Sequence, residues 1–203
     1  MIHTAESLQA AFHYLFPDEV PALKQLAQSL PDNPIVINIG AGAGTSGLTF
    51  IESRVDLHLV TIDIQDEGSP LGCLQAERDI FSERDIPIFR YTQICADSVV
   101  IGKEWLNTGK SQVDMVFVDG EHSYEGCKGD ILAWLPNIKP GGIIAIHDYR
   151  KEDLFSSDED FQPDKPHPKP WPGVSQAVNE LLLDKYHLIT KVDSLIAFRV
   201  HNV

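Results

Sequence analysis

The chain is short of cysteine, short of positive charge and without a long apolar run. Its three cysteines, Cys73, Cys95 and Cys127, lie far apart and form no C-x-x-C pair. That argues against a disulfide framework or a thiolate zinc site and fits free thiols in a reducing compartment. Sixteen Lys and Arg stand against 30 Asp and Glu, a formal net charge of −14. Nucleic acids and anionic membrane surfaces both call for a basic face, so neither is an expected partner. The acidity itself reads as solubility. No stretch approaches the roughly 20 apolar residues that span a bilayer. Glu6, Asp18 and Glu19 also interrupt any leader-like pattern near the start. The expected location is the cytoplasm. No internal repeat is visible, and no G-K-[ST] follows a glycine-rich turn, which rules out a phosphate-clamping P-loop.

What is present is a regular alternation of short apolar runs and helical segments. With 203 residues, 43% of them apolar, the chain suits a single domain with a sizeable core. Residues 4–30 read as a helical arm broken near Phe16-Pro17 and ended before Pro31, so residues 1–32 precede the main fold. Strands are expected at Ile35–Ile39, Leu57–Ile64, near Ile88–Ile94, at Val113–Val118 and at Gly142–His147. Helices are expected after Gly44, over 71–84, from an Asp97-Ser98 cap to about Leu106, over 123–137 and over Val174–Asp184. The end differs: His187–Lys191 and Leu195–Val200 are two β-rich segments joined by Val192-Asp193-Ser194. The expected fold is α/β, doubly wound, with a mostly parallel seven-stranded sheet, an antiparallel C-terminal hairpin strand and helices on both faces. Residues 149–172 carry no periodic pattern, hold five prolines from Pro163 to Pro172, and gather six acids from Glu152 to Asp164. A loop of that length on the ligand edge is expected to be an active-site lid.

The chemistry begins at Val36–Gly47, where a strand runs into Gly40-Ala41-Gly42-Ala43-Gly44-Thr45-Ser46-Gly47. Glycines there let backbone N–H groups and a helix N-terminus approach a nucleoside cofactor. The same residues satisfy G-x-G-x-x-G, the dinucleotide pattern, and G-x-G-x-G, that of methyl donors. Asp63 ends the second strand, where an acid accepts from ribose hydroxyls in either cofactor class. The fourth strand ends in Asp119-Gly120-Glu121-His122-Ser123-Tyr124 and the fifth in His147-Asp148-Tyr149. Neighbouring strand ends would bring Asp119, His147 and Asp148 together. Two carboxylates and an imidazole suit a divalent ion, Mg²⁺ or Mn²⁺ first, with Fe²⁺ and Zn²⁺ permitted. His122, three residues past Asp119, is the candidate proton acceptor.

The array Val36–Gly44, Asp63, Ala96-Asp97-Ser98, Val113–Tyr124, Lys139-Pro140-Gly141-Gly142 and His147-Asp148-Tyr149 resembles the class I S-adenosylmethionine-dependent methyltransferases. The run from Asp119 to Asp130, with Trp171-Pro172-Gly173-Val174 downstream, resembles the branch of macrolide-sugar O-methyltransferases, related to catechol O-methyltransferase. The resemblance implies that Gly40, Gly42 and Gly44 admit the methionine moiety, Asp63 the ribose, and Asp97 with Ser98 the adenine. It places Asp119 beside the cofactor as well as on the metal with His147 and Asp148, and makes His122 a general base. Two positions depart from the pattern: Asn38 stands where an acid often precedes the turn, and His147 replaces an acid of the metal-dependent members.

The implied activity is methyl transfer to a hydroxyl of a small hydroxylated metabolite, with divalent-metal assistance. The N-terminal helices are a candidate packing arm for a homo-oligomer. Competing readings are a nicotinamide-dependent oxidoreductase, resting on G-x-G-x-x-G, and a non-catalytic cofactor-binding protein of the same fold.

Overall fold

The structure is a computed structural model and describes residues 3–68, 73–149 and 171–201. The expected lid, 149–172, lies almost wholly outside the described residues. The sheet has seven strands: β1 (Ile35–Ile39), β2 (His58–Asp63), β3 (Tyr91–Cys95), β4 (Val113–Val118), β5 (Ile138–Ile146), β6 (His187–Val192) and β7 (Leu195–Arg199). Their order is β3-β2-β1-β4-β5-β7-β6. The pairs from β3 through β5 are parallel, while β7 runs antiparallel to both β5 and β6. The α/β doubly wound sheet with an antiparallel C-terminal hairpin is therefore as the alternation of segments implies.

Period-two side-chain alternation divides each central strand between two cores. Val36, Leu59, Met115, Phe117 and Ala145 face one cluster, which also takes Leu8, Leu23 and Leu26 from the N-terminal helices α1 (Ala5–Phe12) and α2 (Glu19–Gln28). Leu48 and Phe50 of α3 (Thr45–Ser53) and Phe81 of α4 (Leu74–Glu83) complete it. Ile37, Ile39, Val60, Val116 and Ile144 face the other cluster, filled by Ile131 and Trp134 of α6 (Tyr124–Trp134) and Val174 and Val178 of α7 (Pro172–Val178). The short helix α5 (Ser98–Glu104) covers the same side. The arm thus packs on its own chain. Near the start of β4, buried Asp114 accepts from Lys139 Nζ at 2.8 and 2.9 Å and from Ile35 N at 2.9 Å, tying β1, β4 and β5.

Boundaries differ where local turns compete with strand or helix. Ile88–Arg90 closes a 3-10 turn after Pro87, so β3 starts at Tyr91 and not at Ile88. α6 stops at Trp134 and passes into a 3-10 turn, Leu135–Asn137, containing Pro136. β5 begins at Ile138, ahead of Pro140-Gly141-Gly142, because a register shift between Val113 and Met115 absorbs those residues in the strand. α7 continues as one π-helical stretch, Asn179–Leu183, before β6. No helix among the described residues is long and apolar enough to cross a membrane.

Candidate active site

Strand order reverses between β1 and β4, and in a doubly wound sheet the crevice beyond the strand ends opens at that point. The glycine turn leaves β1 there, and Asp119 leaves β4. They touch: a Cβ on Gly40 would lie 2.1 Å from the Asp119 carbonyl oxygen. Gly40, Gly42 and Gly44 all have positive φ, +91°, +50° and +81°, which side chains rarely tolerate. Ala41 N donates to Asp63 Oδ2 at 2.8 Å, and Gln65 N to Oδ1 at 2.8 Å, so the strand-end acid braces the turn directly. Its carboxylate keeps further acceptor capacity for a ligand. α3 opens on Gly44 without a side-chain cap, which leaves its first N–H groups without side-chain partners.

Asn38 is fully buried two residues before the turn, and neither its amide nitrogen nor its amide oxygen has a partner among the described residues; Thr45 Oγ1 is orphaned likewise. Tyr14, from the arm, comes within 3.7 Å of a Cβ placed on Gly42, and its ring stacks on Phe12. Asp97 caps α5, accepting from Val99 N at 2.8 Å and Val100 N at 3.3 Å. The Ser98 hydroxyl donates to Asp130, whose carboxyl burial pushes up to about 6.

On the other wall, His122 Nε2 lies 3.0 Å from Asp148 Oδ2 and 3.8 Å from Asp119 Oδ1, and its ring stacks on Trp171 at 4.7 Å. Asp119, His122 and Asp148 each offer a ligand atom within 4.8 Å of the others. Burial opposes a charge on His122, but hydrogen bonds to Asp119 and Asp148 outweigh it and hold the ring up at about 9. Burial works against ionisation of Asp119 too, yet the two histidines keep its carboxyl below the ordinary range.

His147 converges with the same two acids, as the neighbouring strand ends imply: its Nδ1 lies 3.4 Å from Asp148 Oδ2, although it is not one of the group of three. Its Nδ1 faces Asp119 Oδ1 at 3.0 Å, and its Nε2 faces Glu19 Oε2 at 3.0 Å, deep in the core. A carboxylate oxygen thus faces each ring nitrogen, an arrangement that suits an imidazolium donating from both. Burial resists that charge, but Asp119 and Asp148 raise the ring well above its usual range. Sequence reasoning missed Glu19 altogether. It is fully buried at the start of α2 and accepts from Phe16 N at 2.7 Å, Ser194 N at 2.8 Å and Ser194 Oγ at 2.7 Å, besides His147. Apart from Phe16, its partners lie 128 and 175 residues away, and no local pattern signals them.

A methyltransferase-domain family matches residues 37–149, from within β1 to just past Asp148. The chain belongs to this methyltransferase family. No curated protein sequence matches it. Among solved structures, a putative caffeoyl-CoA O-methyltransferase from Staphylococcus aureus is 14% identical, with a TM-score of 0.70 over 98% of this chain and 93% of that one. The O-methyltransferase TomG from Streptomyces achromogenes, of tomaymycin synthesis and solved with S-adenosylmethionine, is 17% identical, TM-score 0.65, over 98% and 88%. CalS11, a TDP-rhamnose 3'-O-methyltransferase of calicheamicin biosynthesis, is 17% identical, TM-score 0.60, over 89% and 77%. At these identities the likeness is one of fold, the class I methyltransferase fold. The methyltransferase family match sets aside the nicotinamide reading of the glycine turn.

Proposed function

We propose that this methyltransferase moves the methyl group of S-adenosylmethionine to a hydroxyl of a small hydroxylated acceptor, with a divalent ion at Asp119 and Asp148. The observation that carries the reading is the contact of Gly40 with Asp119, which puts a side-chain-free cradle against an acid–imidazole cluster. The cradle suits the cofactor: positive-φ glycines, uncapped N–H groups and a buried amide at Asn38 with no partner among the described residues. On this reading Asp63, at the end of β2, would take the ribose, and Asp97 with Ser98, after β3, the adenine. The O-methyltransferases among the structural neighbours support a hydroxyl acceptor.

When bound, S-adenosylmethionine supplies an electrophilic methyl on sulfur, and a divalent ion makes a chelated hydroxyl more acidic. The chain's part is to hold acceptor oxygen, methyl and sulfur in line and to take the proton. His122 is the base. Asp119 and Asp148 favour its imidazolium; a divalent ion held by these two carboxylates would offset their charge and lower the ring toward the neutral form that a base needs. His147, pinned by Glu19, orients Asp119 from behind; Trp171 stacks on His122, and Tyr14 lies beside Gly42.

Calorimetric titration with S-adenosylhomocysteine tests the cradle: wild type should bind and Asp63→Ala should bind about tenfold or more weakly, from loss of hydrogen bonds to a charged group. An unaltered dissociation constant removes Asp63 from the ribose. On a panel of polyhydroxylated acceptors, His122→Ala should cut turnover by about 10²–10⁴ with cofactor affinity kept. Full turnover in excess chelator would dispose of the ion.

A further inference from the structure

Glu77 lies on α4, fully buried beneath the first turn of α3. Its carboxylate accepts from Thr61 Oγ1 at 3.0 Å and from Gln93 Nε2 at 2.6 Å, both neutral donors. A Cβ on Gly47 would stand 1.9 Å from Glu77 Oε1, and one on Gly44 would stand 3.2 Å from Glu77 Cα. Gly47 is therefore glycine because the acid fills the space a side chain would need. The carboxyl group rests directly on the junction of turn and helix.

Few charges face it. Asp63, from β2, opposes ionisation of Glu77, and Arg78, from α4, favours it. The Arg78 guanidinium is engaged elsewhere, with Asp66 at 2.8 Å, Gln75 at 2.8 Å and Gln93 at 3.1 Å. α3 contributes glycine backbone, and β3 the neutral Gln93. With burial dominant and no cation in contact among the described residues, the carboxyl is pushed up to about 7.

We propose that Glu77 is a positioning residue for the cofactor turn, and that its charge state sets how tightly the first turn of α3 holds the carboxylate of S-adenosylmethionine and its product. This rests on the reading of Gly40–Gly44 as the cofactor cradle. The uncapped N-terminus of α3 favours an anion, and the cofactor's only anion is its carboxylate. Neutral Glu77 leaves that positive end to the ligand. Ionised Glu77 sets a competing negative charge in the same turn, and a like charge beside Asp63, which holds Ala41 N–H. Repulsion between charges several ångströms apart at a partly screened, buried site amounts to roughly tenfold in affinity.

The test is calorimetric titration with S-adenosylhomocysteine from pH 6 to 8.5, on wild type and Glu77→Gln. Wild-type affinity should fall toward a tenfold loss, most steeply between about pH 7 and 8, and Glu77→Gln should stay flat. A merely structural role would shift affinity equally at every pH, so parallel profiles overturn the inference while leaving the cradle intact. Absence of binding by wild type at every pH overturns the cradle and the inference with it. Wild type alone supplies a second measurement that does not depend on the variant folding. By linkage, saturating S-adenosylhomocysteine should raise the ¹³C-detected midpoint of the Glu77 carboxyl by about one pH unit, and an unmoved midpoint overturns the inference.

Discussion

Glu19 and Glu77 are both fully buried glutamates behind the candidate site, and their surroundings could hardly differ more. Glu19 meets four donors from three parts of the chain: the Phe16 N–H, the His147 ring, and the N–H and hydroxyl of Ser194. Among the described residues Glu77 meets two neutral donors and no cation. One acid is matched by an imidazolium and is part of how the arm, the β6–β7 turn and Asp119 are held together. The other sits under a backbone junction where its ionisation is opposed. A buried carboxylate is thus a clamp or a source of pH sensitivity according to its donors, and depth alone does not decide which.

The largest expected effect comes from breaking the clamp. In Glu19→Gln the carboxamide must turn its NH₂ toward one oxygen's former partners, and on either side those include backbone N–H groups that cannot accept. With His147 left short of its counter-charge, unfolding free energy should drop by about 3–5 kcal/mol in urea denaturation. A loss below about 1 kcal/mol would mean that the four donors are satisfied without the charge, and the contrast with Glu77 would collapse.

Glu77→Gln should act with the opposite sign. The Thr61 hydroxyl both donates and accepts, so it can reverse to take a hydrogen bond from the new NH₂ while the amide oxygen keeps Gln93. The folded-state carboxyl titrates near 7 against an ordinary value of 4.5. A raised folded value means stability present at low pH is lost as pH rises from about 4.5 through 7. Wild type should therefore lose up to about 3 kcal/mol across that window, and the variant should not. The two proteins should have similar stability near pH 4.5 and diverge by pH 8. Equal stability at pH 8 would show that Glu77 is not held protonated.

Much of this was legible in the sequence, and what was not shares one cause. The strands announced themselves because β1 and β4 are short apolar runs ended by glycine or an acid, and the hairpin because two β-rich segments flank Asp193-Ser194. Asp63 and Asp119 were legible as strand-end acids, since strand ends in this fold class share one edge. Gly47 was legible only as a glycine: that it makes room for Glu77 is a contact 30 residues away. Glu19 reads only as an acid interrupting an apolar pattern, and His147 as a member of the acid cluster because the ends of β4 and β5 are neighbours. That its other ring nitrogen meets Glu19 and Ser194 is something only tertiary packing decides. Alternating strand patterns report which face is inside; they do not report which polar group waits there.

The smallest effects isolate a single hydroxyl at each acid. Ser194→Ala removes one of four donors to Glu19 and leaves the Ser194 N–H in place, so it should cost about 1.5–2 kcal/mol, the worth of a hydrogen bond to a charged group. That cost should be the same at pH 6 and pH 8, because the His147 ring opposite Glu19 is held well above its usual range. Thr61→Ala removes one of two donors to Glu77. At pH 8, where the carboxylate is charged, the loss should be about 1.5 kcal/mol; near pH 5, where the neutral carboxyl can donate as well as accept, about 0.5 kcal/mol. The two alanine variants, measured by urea denaturation at both pH values, therefore separate partners from depth. If Ser194→Ala showed the pH-dependent cost and Thr61→Ala the constant one, the imidazolium would not be what holds Glu19, and the difference between the two acids would have to be sought in the backbone dipoles around them.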